Sequence, residues 1–132
     1  MRRLIDVGLA LGYAGLIFFL SAQSSFPVPQ EIWSFDKGIH CVEYGVLGFL
    51  VARAVRGRPG SGSIRPHSDQ RTVLIAVILS SLYGASDEFH QSFVPRRSAE
   101  ALDVAADTVG SLMGALVFAL HSHRSRRGKR GA

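Results

Sequence analysis

Four apolar blocks divide this chain, and each has the length of a helix that crosses a lipid bilayer. They cover Leu4–Ala22, Gly38–Val55, Thr72–Ala85 with an extension to about His90, and Ala101–Leu120. An α-helix rises about 1.5 Å per residue, so about 20 residues cross a hydrocarbon core of about 30 Å. The segments Leu9–Leu20 and Val73–Leu82 carry apolar residues on every side, whereas helices of a soluble bundle would be amphipathic. The sequence therefore predicts an all-α, four-helix transmembrane bundle, with helices at about 4–22, 38–55, 72–91 and 101–120.

The distribution of basic residues predicts how these helices are oriented in the membrane. The net charge is +5, and most of the 15 Lys and Arg residues precede the first block, surround the connection between the second and third blocks, or lie in the tail. Lys37, Arg96 and Arg97 are the three that fall on the other side. Because segments rich in Lys and Arg stay in the cytoplasm, we expect both termini to be cytoplasmic. The same distribution argues against a nucleic-acid partner and favours contact of the basic tail with anionic lipid.

The segments outside the blocks carry little chemistry of their own. Residues 57–66 are rich in Gly, Ser and Pro and are expected to form a flexible linker. Residues 121–132 are predicted to be a disordered basic tail after a single domain of residues 1–120. Cys41 is the one cysteine, which excludes an intrachain disulfide and a two-cysteine metal motif. The first block exceeds a usual signal-peptide core and lacks a clean cleavage site, so we interpret it as a spanning helix.

Polar and ionisable side chains gather at one end of the last three blocks, where an ordinary spanning helix would be apolar. They are Lys37, His40, Glu43 and Tyr44 in the second block, Tyr83, Asp87, Glu88, His90 and Gln91 in the third, and Asp103 and Asp107 in the fourth, with Arg96 and Arg97 in the intervening loop. Ionisable groups at a helix centre in the membrane cost roughly 2.5–3.5 kcal/mol each, so they normally face a partner, a cavity or a pathway. Helical periodicity aligns these side chains in stripes near the outer surface, and we expect the stripes to share one polar pocket.

The fourth block also carries a small-xxx-small motif, formed by Gly110 and Gly114 on the same face as Asp107. Small residues at this spacing let the backbones of two membrane helices approach closely. We therefore predict that the fourth helix packs tightly against a neighbouring helix beside the polar pocket.

Four motifs follow one another along the chain. They are Phe18-Phe19-Leu20-Ser21-Ala22-Gln23, Asp36-Lys37-x-x-His40-x-x-Glu43-Tyr44, Asp87-Glu88-x-His90-Gln91-x-Phe93-x-Pro95-x-Arg97 and Asp103-x-x-x-Asp107-x-x-Gly110. In order and spacing they resemble the VanZ-like family, from about Leu4 to Leu120. The resemblance implies a small four-helix protein of the bacterial cytoplasmic (inner) membrane, and the family's founding member is associated with resistance to teicoplanin, a glycopeptide. Arg96 stands where the family tends to have Gly, and Asp107 stands where Asn is frequent, which here adds a negative charge.

Three interpretations of the polar pocket remain open from the sequence. The first is structural: the carboxylates pair with Lys37, the loop arginines and His40, and the network only fixes helix packing. The second is a site that binds or modifies an amphiphilic, anionic cell-envelope substrate, either a phospholipid or a lipid-linked cell-wall precursor. The third is proton or cation transport, although the pocket is confined to one leaflet and the first block offers only Asp6, at the opposite end.

For the second interpretation the sequence predicts a role for each polar side chain. The acid–base core is predicted to comprise His40, Glu43, Asp87, Glu88, His90, Asp103 and Asp107. Contacts to the substrate are predicted for Lys37, Tyr44, Gln91, Arg96 and Arg97. A divalent metal is the cofactor that these residue types suit, with His40, Asp87, His90 and Asp103 as candidate ligands. No compact motif such as His-Glu-x-x-His specifies such a metal, and the expected partners are membrane lipids and lipid-linked cell-wall precursors.

Overall fold

The computed structural model describes residues 2–23, 36–56, 69–95 and 100–128, and these residues form four α-helices and no strand. The helices are α1 (Arg2–Ser21), α2 (Asp36–Arg56), α3 (Asp69–Gln91) and α4 (Ala101–Gly128). Each has 20 residues or more and is therefore at least about 30 Å long. The predicted all-α, four-helix architecture is confirmed. The cytoplasmic location of the termini stays a prediction, and the predicted linker 57–66 lies outside the described residues.

Two helices extend beyond the apolar blocks that predicted them. α3 begins at Asp69, where an acidic side chain in the first turn interacts favourably with the helix dipole. Asp69 also forms an ion pair with Arg56 of α2 at 2.7 Å. α4 continues to Gly128, so residues 121–128, predicted to be a disordered tail, are helical. No Gly or Pro interrupts α4 between Leu120 and Gly128, and the arginines of this segment lie near the helix C-terminus, where positive charge is favoured.

The bundle places large apolar side chains on its surface and small or polar side chains in its interior. Leu4, Leu82 and Phe89 are 76%, 65% and 69% exposed. By contrast, four of the seven buried hydrophobic residues in the described ranges are alanines. In water such an apolar surface would be unfavourable, but in a bilayer the lipid tails cover it and small residues let the helices pack. All four helices are long and apolar enough to cross a membrane, so this is a multi-pass membrane protein.

The most extensive helix contact among the described residues joins α2 to α4, and glycines make it possible. A Cβ atom added at Gly110 would collide with the backbone of Cys41. A Cβ atom at Gly114 would collide with the carbonyl group of Gly45, and Gly48 is similarly close to the backbone of α4. The close approach predicted at Gly110 and Gly114 is therefore present, and the neighbouring helix is α2.

The two ends of the bundle differ in chemistry. At the arginine end, α1 and α3 begin and α2 and α4 finish. There Arg53 pairs with Asp6 at 2.6 Å, and the ion pair of Arg56 and Asp69 lies nearby in the structure. At the carboxylate end, α2 and α4 begin and α1 and α3 finish. The buried carboxylate side chains at this end are Asp87, Glu88, Asp103 and Asp107.

Candidate functional site

Three buried ionisable side chains, each from a different helix, meet at the carboxylate end. His40 lies in the second turn of α2, Glu88 in the last turn of α3, and Asp107 in the second turn of α4. One donor atom from each residue lies within 4.8 Å of the donor atoms of the other two. The residues are 6%, 4% and 0% exposed, in that order. We call this group the His40–Glu88–Asp107 cluster.

A hydrogen bond between His40 and Asp107 joins α2 to α4 inside the cluster. The His40 Nδ1 atom and the Asp107 Oδ1 atom are 3.0 Å apart. Gly110, about one turn after Asp107, brings the two backbones close enough for this contact. With Asp107 ionised and the imidazole neutral, Nδ1–H is the donor and Nε2 carries the lone pair. A histidine oriented in this way by a carboxylate is suited to proton transfer or to metal binding.

Several polar atoms in and beside the cluster are buried without a hydrogen-bond partner among the described residues. Glu88 Oε2 accepts the backbone N–H of Glu100 at 3.0 Å, but Glu88 Oε1 has no partner in this part of the chain. The same is true of Asp107 Oδ2 and of the Tyr44 hydroxyl, and both residues are 0% exposed. Most buried polar atoms in proteins are hydrogen-bonded, so unpaired acceptors gathered in one small cluster indicate a position for a ligand.

The space beside Asp107 depends on Gly84 of α3. A Cβ atom added at Gly84 would lie 2.6 Å from Asp107 Oδ2 and 3.1 Å from Cε1 of Tyr44. Both neighbouring side chains are fully buried, so neither can turn into solvent to make room. Gly84 therefore belongs to the site even though it contributes no functional group.

Asp87 is buried near the cluster, but both of its carboxylate oxygens are already occupied. Asp87 Oδ1 accepts a hydrogen bond from the Ser21 hydroxyl at 2.6 Å, and Oδ2 accepts one from the Gln91 amide at 3.1 Å. Ser21 is the last residue of α1, so this contact ties α1 to α3. Consecutive residues point about 100° apart around a helix, which explains why Asp87 faces α1 while Glu88 faces α4.

Lys37 forms an ion-pair network where α2 and α4 begin. Its Nζ atom lies 2.9 Å from Glu100 Oε2 and 3.2 Å from Asp103 Oδ1. The Lys37 and Glu100 side chains are about half exposed, whereas that of Asp103 is buried. Through its hydrogen bond and its charge, Lys37 lowers the pKa of Glu100 below the usual value of 4.5. Among the described residues, Lys37 is the one Lys or Arg at the carboxylate end.

A comparison with protein families identifies the family of this chain. The family model described as VanZ/LLP1 matches residues 7–122, which include the whole cluster and its ion-pair network. The chain belongs to the VanZ/LLP1 family. This confirms the resemblance predicted from the four motifs. Comparison with curated proteins and with solved structures gives no match.

The other predicted site residues of this VanZ/LLP1 protein lie outside the cluster. His90 is half-buried, and its ring centroid is 4.4 Å from that of Phe18 in α1. Glu43 is half-buried, and its carboxylate interacts electrostatically with Tyr13 of α1. Arg96 and Arg97, predicted to contact the substrate, lie outside the described residues.

The cluster combines residues for which the sequence predicts different roles. His40 is the one predicted metal candidate that the structure places in it. Asp87, His90 and Asp103, the other three candidates, instead contact α1 or Lys37. Glu88 and Asp107, predicted as acid–base residues, complete the cluster.

Three residues of this VanZ/LLP1 site are absent from the predicted set, namely Ser21, Gly84 and Glu100. Ser21 lies in the first of the four motifs, so its position there is a usable signal. Glu100 directly precedes α4, and an acidic residue at a helix N-terminus is also a recognisable feature. Gly84 carries no comparable signal, because glycine is frequent within membrane helices.

Proposed function

We propose that this VanZ/LLP1 protein binds an amphiphilic, anionic cell-envelope lipid at the carboxylate end of the bundle. The lipid is a phospholipid or a lipid-linked cell-wall precursor. The observation that carries the proposal is the His40–Glu88–Asp107 cluster, in which two buried carboxylate oxygens have no partner among the described residues. A network that served only to fix helix packing would have these acceptors paired, as they are at Asp87.

The chemistry of the site supports a headgroup that has both hydroxyl or amino groups and a phosphate. Carboxylate oxygens accept hydrogen bonds, so Glu88 Oε1 and Asp107 Oδ2 suit donors on the headgroup. Lys37 is half exposed and supplies positive charge for a phosphate, together with the predicted contacts from Arg96 and Arg97. The exposed ring of Phe93 just after α3, 71% accessible, favours a ligand with an acyl or prenyl chain.

We place the carboxylate end at the outer face of a bacterial cytoplasmic membrane. Most Lys and Arg residues lie in segments that adjoin the arginine end, and such segments stay in the cytoplasm. In this orientation the cluster is buried inside the end of the bundle that lies in the outer leaflet. The founding member of the VanZ-like family is associated with teicoplanin resistance, and we propose that binding or modifying an envelope lipid at this site affects glycopeptide susceptibility.

Lipid binding by the purified protein tests the proposal directly. In native mass spectrometry we expect tighter binding of a sugar-bearing polyprenyl phosphate or of phosphatidylglycerol, which have hydroxyl groups and a phosphate, than of phosphatidylcholine, whose headgroup has no hydrogen-bond donor. Asp107→Asn replaces a carboxylate acceptor by an amide group at nearly constant volume, so the headgroup donor loses its partner at Asp107 Oδ2 and the lipid should bind about tenfold more weakly, or by about 1.4 kcal/mol. Asp6→Asn, which changes a carboxylate at the arginine end, is the matched control and should bind normally. Equal affinity of all three proteins for all three lipids would contradict the proposal.

Antibiotic susceptibility tests the cellular consequence. Expression of the protein in a glycopeptide-susceptible bacterium should raise the minimum inhibitory concentration. Asp107→Asn should abolish that increase while membrane expression is retained, and Asp6→Asn should preserve it. An increase that survives Asp107→Asn would separate any resistance from the cluster.

The structural interpretation has one specific observation in its favour, the fully paired Asp87. Asp87→Asn should therefore destabilise the bundle by about 1–3 kcal/mol, because the Ser21 hydroxyl and the Gln91 amide, which both donate to the Asp87 carboxylate, cannot both keep an oxygen acceptor. Asp107→Asn should lower the free energy of unfolding less than Asp87→Asn does, because Asp107 Oδ2 has no partner in the described structure. Its main effect should be on lipid binding. If both variants lost stability equally and neither changed lipid binding, the network would be structural only.

A further inference from the structure

We infer that the His40–Glu88–Asp107 cluster binds one divalent transition-metal ion, and that Zn²⁺ is the ion its donors fit best. The inference rests on the proposed function, because the metal is the group through which the same site would hold an anionic headgroup. The cluster offers one imidazole nitrogen and two carboxylate oxygens, from α2, α3 and α4. The described residues show no other group of three such donors within this distance.

The separations within the cluster are close to those of a first coordination shell. Ligand atoms about 2.0–2.2 Å from a tetrahedral zinc ion are about 3.3–3.6 Å from one another. His40 Nδ1 and Asp107 Oδ1 are 3.0 Å apart, and one donor atom of each of the three residues lies within 4.8 Å of those of the other two. To bind the metal through Nδ1, His40 takes the other neutral tautomer, with the proton on Nε2, and no longer donates to Asp107. Three protein ligands leave one position of a tetrahedral site open, as in catalytic zinc sites.

Unpaired lone pairs provide evidence that is independent of the residue types. Glu88 Oε1 and Asp107 Oδ2 are buried acceptors with no hydrogen-bond donor among the described residues. A cation satisfies such oxygens without needing a donor group. The Tyr44 ring and Asp107 Oδ2 both lie against Gly84. The Tyr44 hydroxyl also has no partner among the described residues, and it is available to donate a hydrogen bond to a fourth ligand of the metal.

Among the described residues, the charge balance of the carboxylate end also favours a cation. Lys37 is the one Lys or Arg in this part of the structure, and its ammonium is shared between Glu100 and Asp103, so it offsets only part of the negative charge. The buried Asp87 carboxylate is bound by neutral groups. Carboxylates at this density repel an anionic headgroup at low dielectric. A divalent ion cancels the charge of two carboxylates and binds a phosphate oxygen directly.

The donor set selects the class of metal. Mg²⁺ and Ca²⁺ prefer oxygen ligands alone, whereas an imidazole with carboxylates suits Zn²⁺ and related ions. Zn²⁺ also accepts a low coordination number, which matches three protein ligands and one exchangeable position.

Zinc titration of the full-length protein in detergent tests the inference. After removal of metal with EDTA, the protein should bind one equivalent of Zn²⁺, and its thermal unfolding temperature should rise. Glu88→Gln and Asp107→Asn should each lower zinc affinity about tenfold or more, with helical circular dichroism retained. Asp6→Asn, the carboxylate control at the arginine end, should bind zinc like the parent. Co²⁺ in place of Zn²⁺ should give the strong visible bands of a four-coordinate site, a readout that needs no variant.

Each remaining outcome has a definite meaning. Absence of saturable zinc binding to the parent, or equal affinity of the Asp107→Asn and Asp6→Asn variants, would overturn the inference. Tighter binding of Mg²⁺ than of Zn²⁺ would overturn the assignment of zinc. If metal-free protein bound anionic lipid as tightly as zinc-loaded protein, the metal would not hold the headgroup, and the proposed function would stand. If zinc bound at the cluster but no anionic lipid bound, the proposed function would be wrong and the metal site would stand.

Discussion

At the scale of single residues, the orientation of adjacent side chains decides which carboxylates can react. Asp87 and Glu88 are neighbours in the sequence and are almost equally buried. Asp87 is held by Ser21 and Gln91, whereas Glu88 keeps one oxygen without a partner in the described part of the chain. The difference arises because the two side chains face different helices. A carboxylate with both oxygens hydrogen-bonded stabilises the fold, and one with an unpaired oxygen can bind a ligand.

Gly84→Ala adds one methyl group beside the cluster and tests whether the cluster needs the space that Gly84 leaves. The new methyl group would lie against Asp107 Oδ2 and the Tyr44 ring, which are both fully buried. We expect a loss of about 1–3 kcal/mol in the free energy of unfolding in detergent, because overpacking forces buried side chains to move. Gly8→Ala is the matched control, since nothing lies within 4 Å of its added Cβ. Replacing that glycine should be neutral or stabilising by about 0.5–1 kcal/mol. Equal effects of the two substitutions would show that the space at Gly84 is not required.

At the scale of helices, the contact between the first turns of α2 and α4 gives a test by pH. Glu100 has its pKa lowered by Lys37, so the pair stabilises the fold fully above the usual Glu pKa of 4.5. That contribution disappears as the pH falls through the lowered pKa. The stability difference between the parent and Glu100→Gln should therefore be present at about pH 6 and vanish towards about pH 3. It should be small, because both partners are half exposed.

Lys37→Met provides the control for this pH dependence. In its background, the effect of Glu100→Gln should shrink to the contribution of the α4 helix dipole, because the Lys37 partner is absent. Asp103 also lies within ion-pair distance of Lys37, so the double-variant comparison is needed to isolate Glu100. A pH-independent difference between the parent and Glu100→Gln would contradict the assigned ion pair.

Helix positions followed from the sequence more completely than the pairing between helices. The apolar blocks predicted all four helices, because length and hydropathy alone determine a membrane span. The extension of α4 to Gly128 depends on local helix propensity and lay beyond that signal. The end of the bundle that carries the site was also predictable from His40, Asp87 and Asp107. Which carboxylate meets which partner was not, because it depends on helix rotation, and a change of one residue turns a side chain by about 100°.

At the scale of the whole molecule, the two ends of the bundle have opposite chemistry. In the described part of the chain, the arginine end carries paired Arg53 and Arg56, and the carboxylate end carries four buried acidic side chains. Between them the outer surface is apolar and the interior is small and polar. A bilayer aligns such a molecule along its normal, and the positive charge then selects the direction. The function that we propose needs the carboxylate end to face outward.

Cysteine labelling determines that direction. In a Cys41→Ser parent, which removes the one native thiol, Ser92→Cys places a thiol at the carboxylate end and Gln70→Cys places one at the arginine end. Both positions are exposed. A membrane-impermeant maleimide added to intact bacterial spheroplasts should label Ser92→Cys, and it should label Gln70→Cys only after lysis. The reverse pattern would put the cluster on the cytoplasmic side. An outer-leaflet lipid could then not be its ligand, whereas the bundle and the cluster itself would be unaffected.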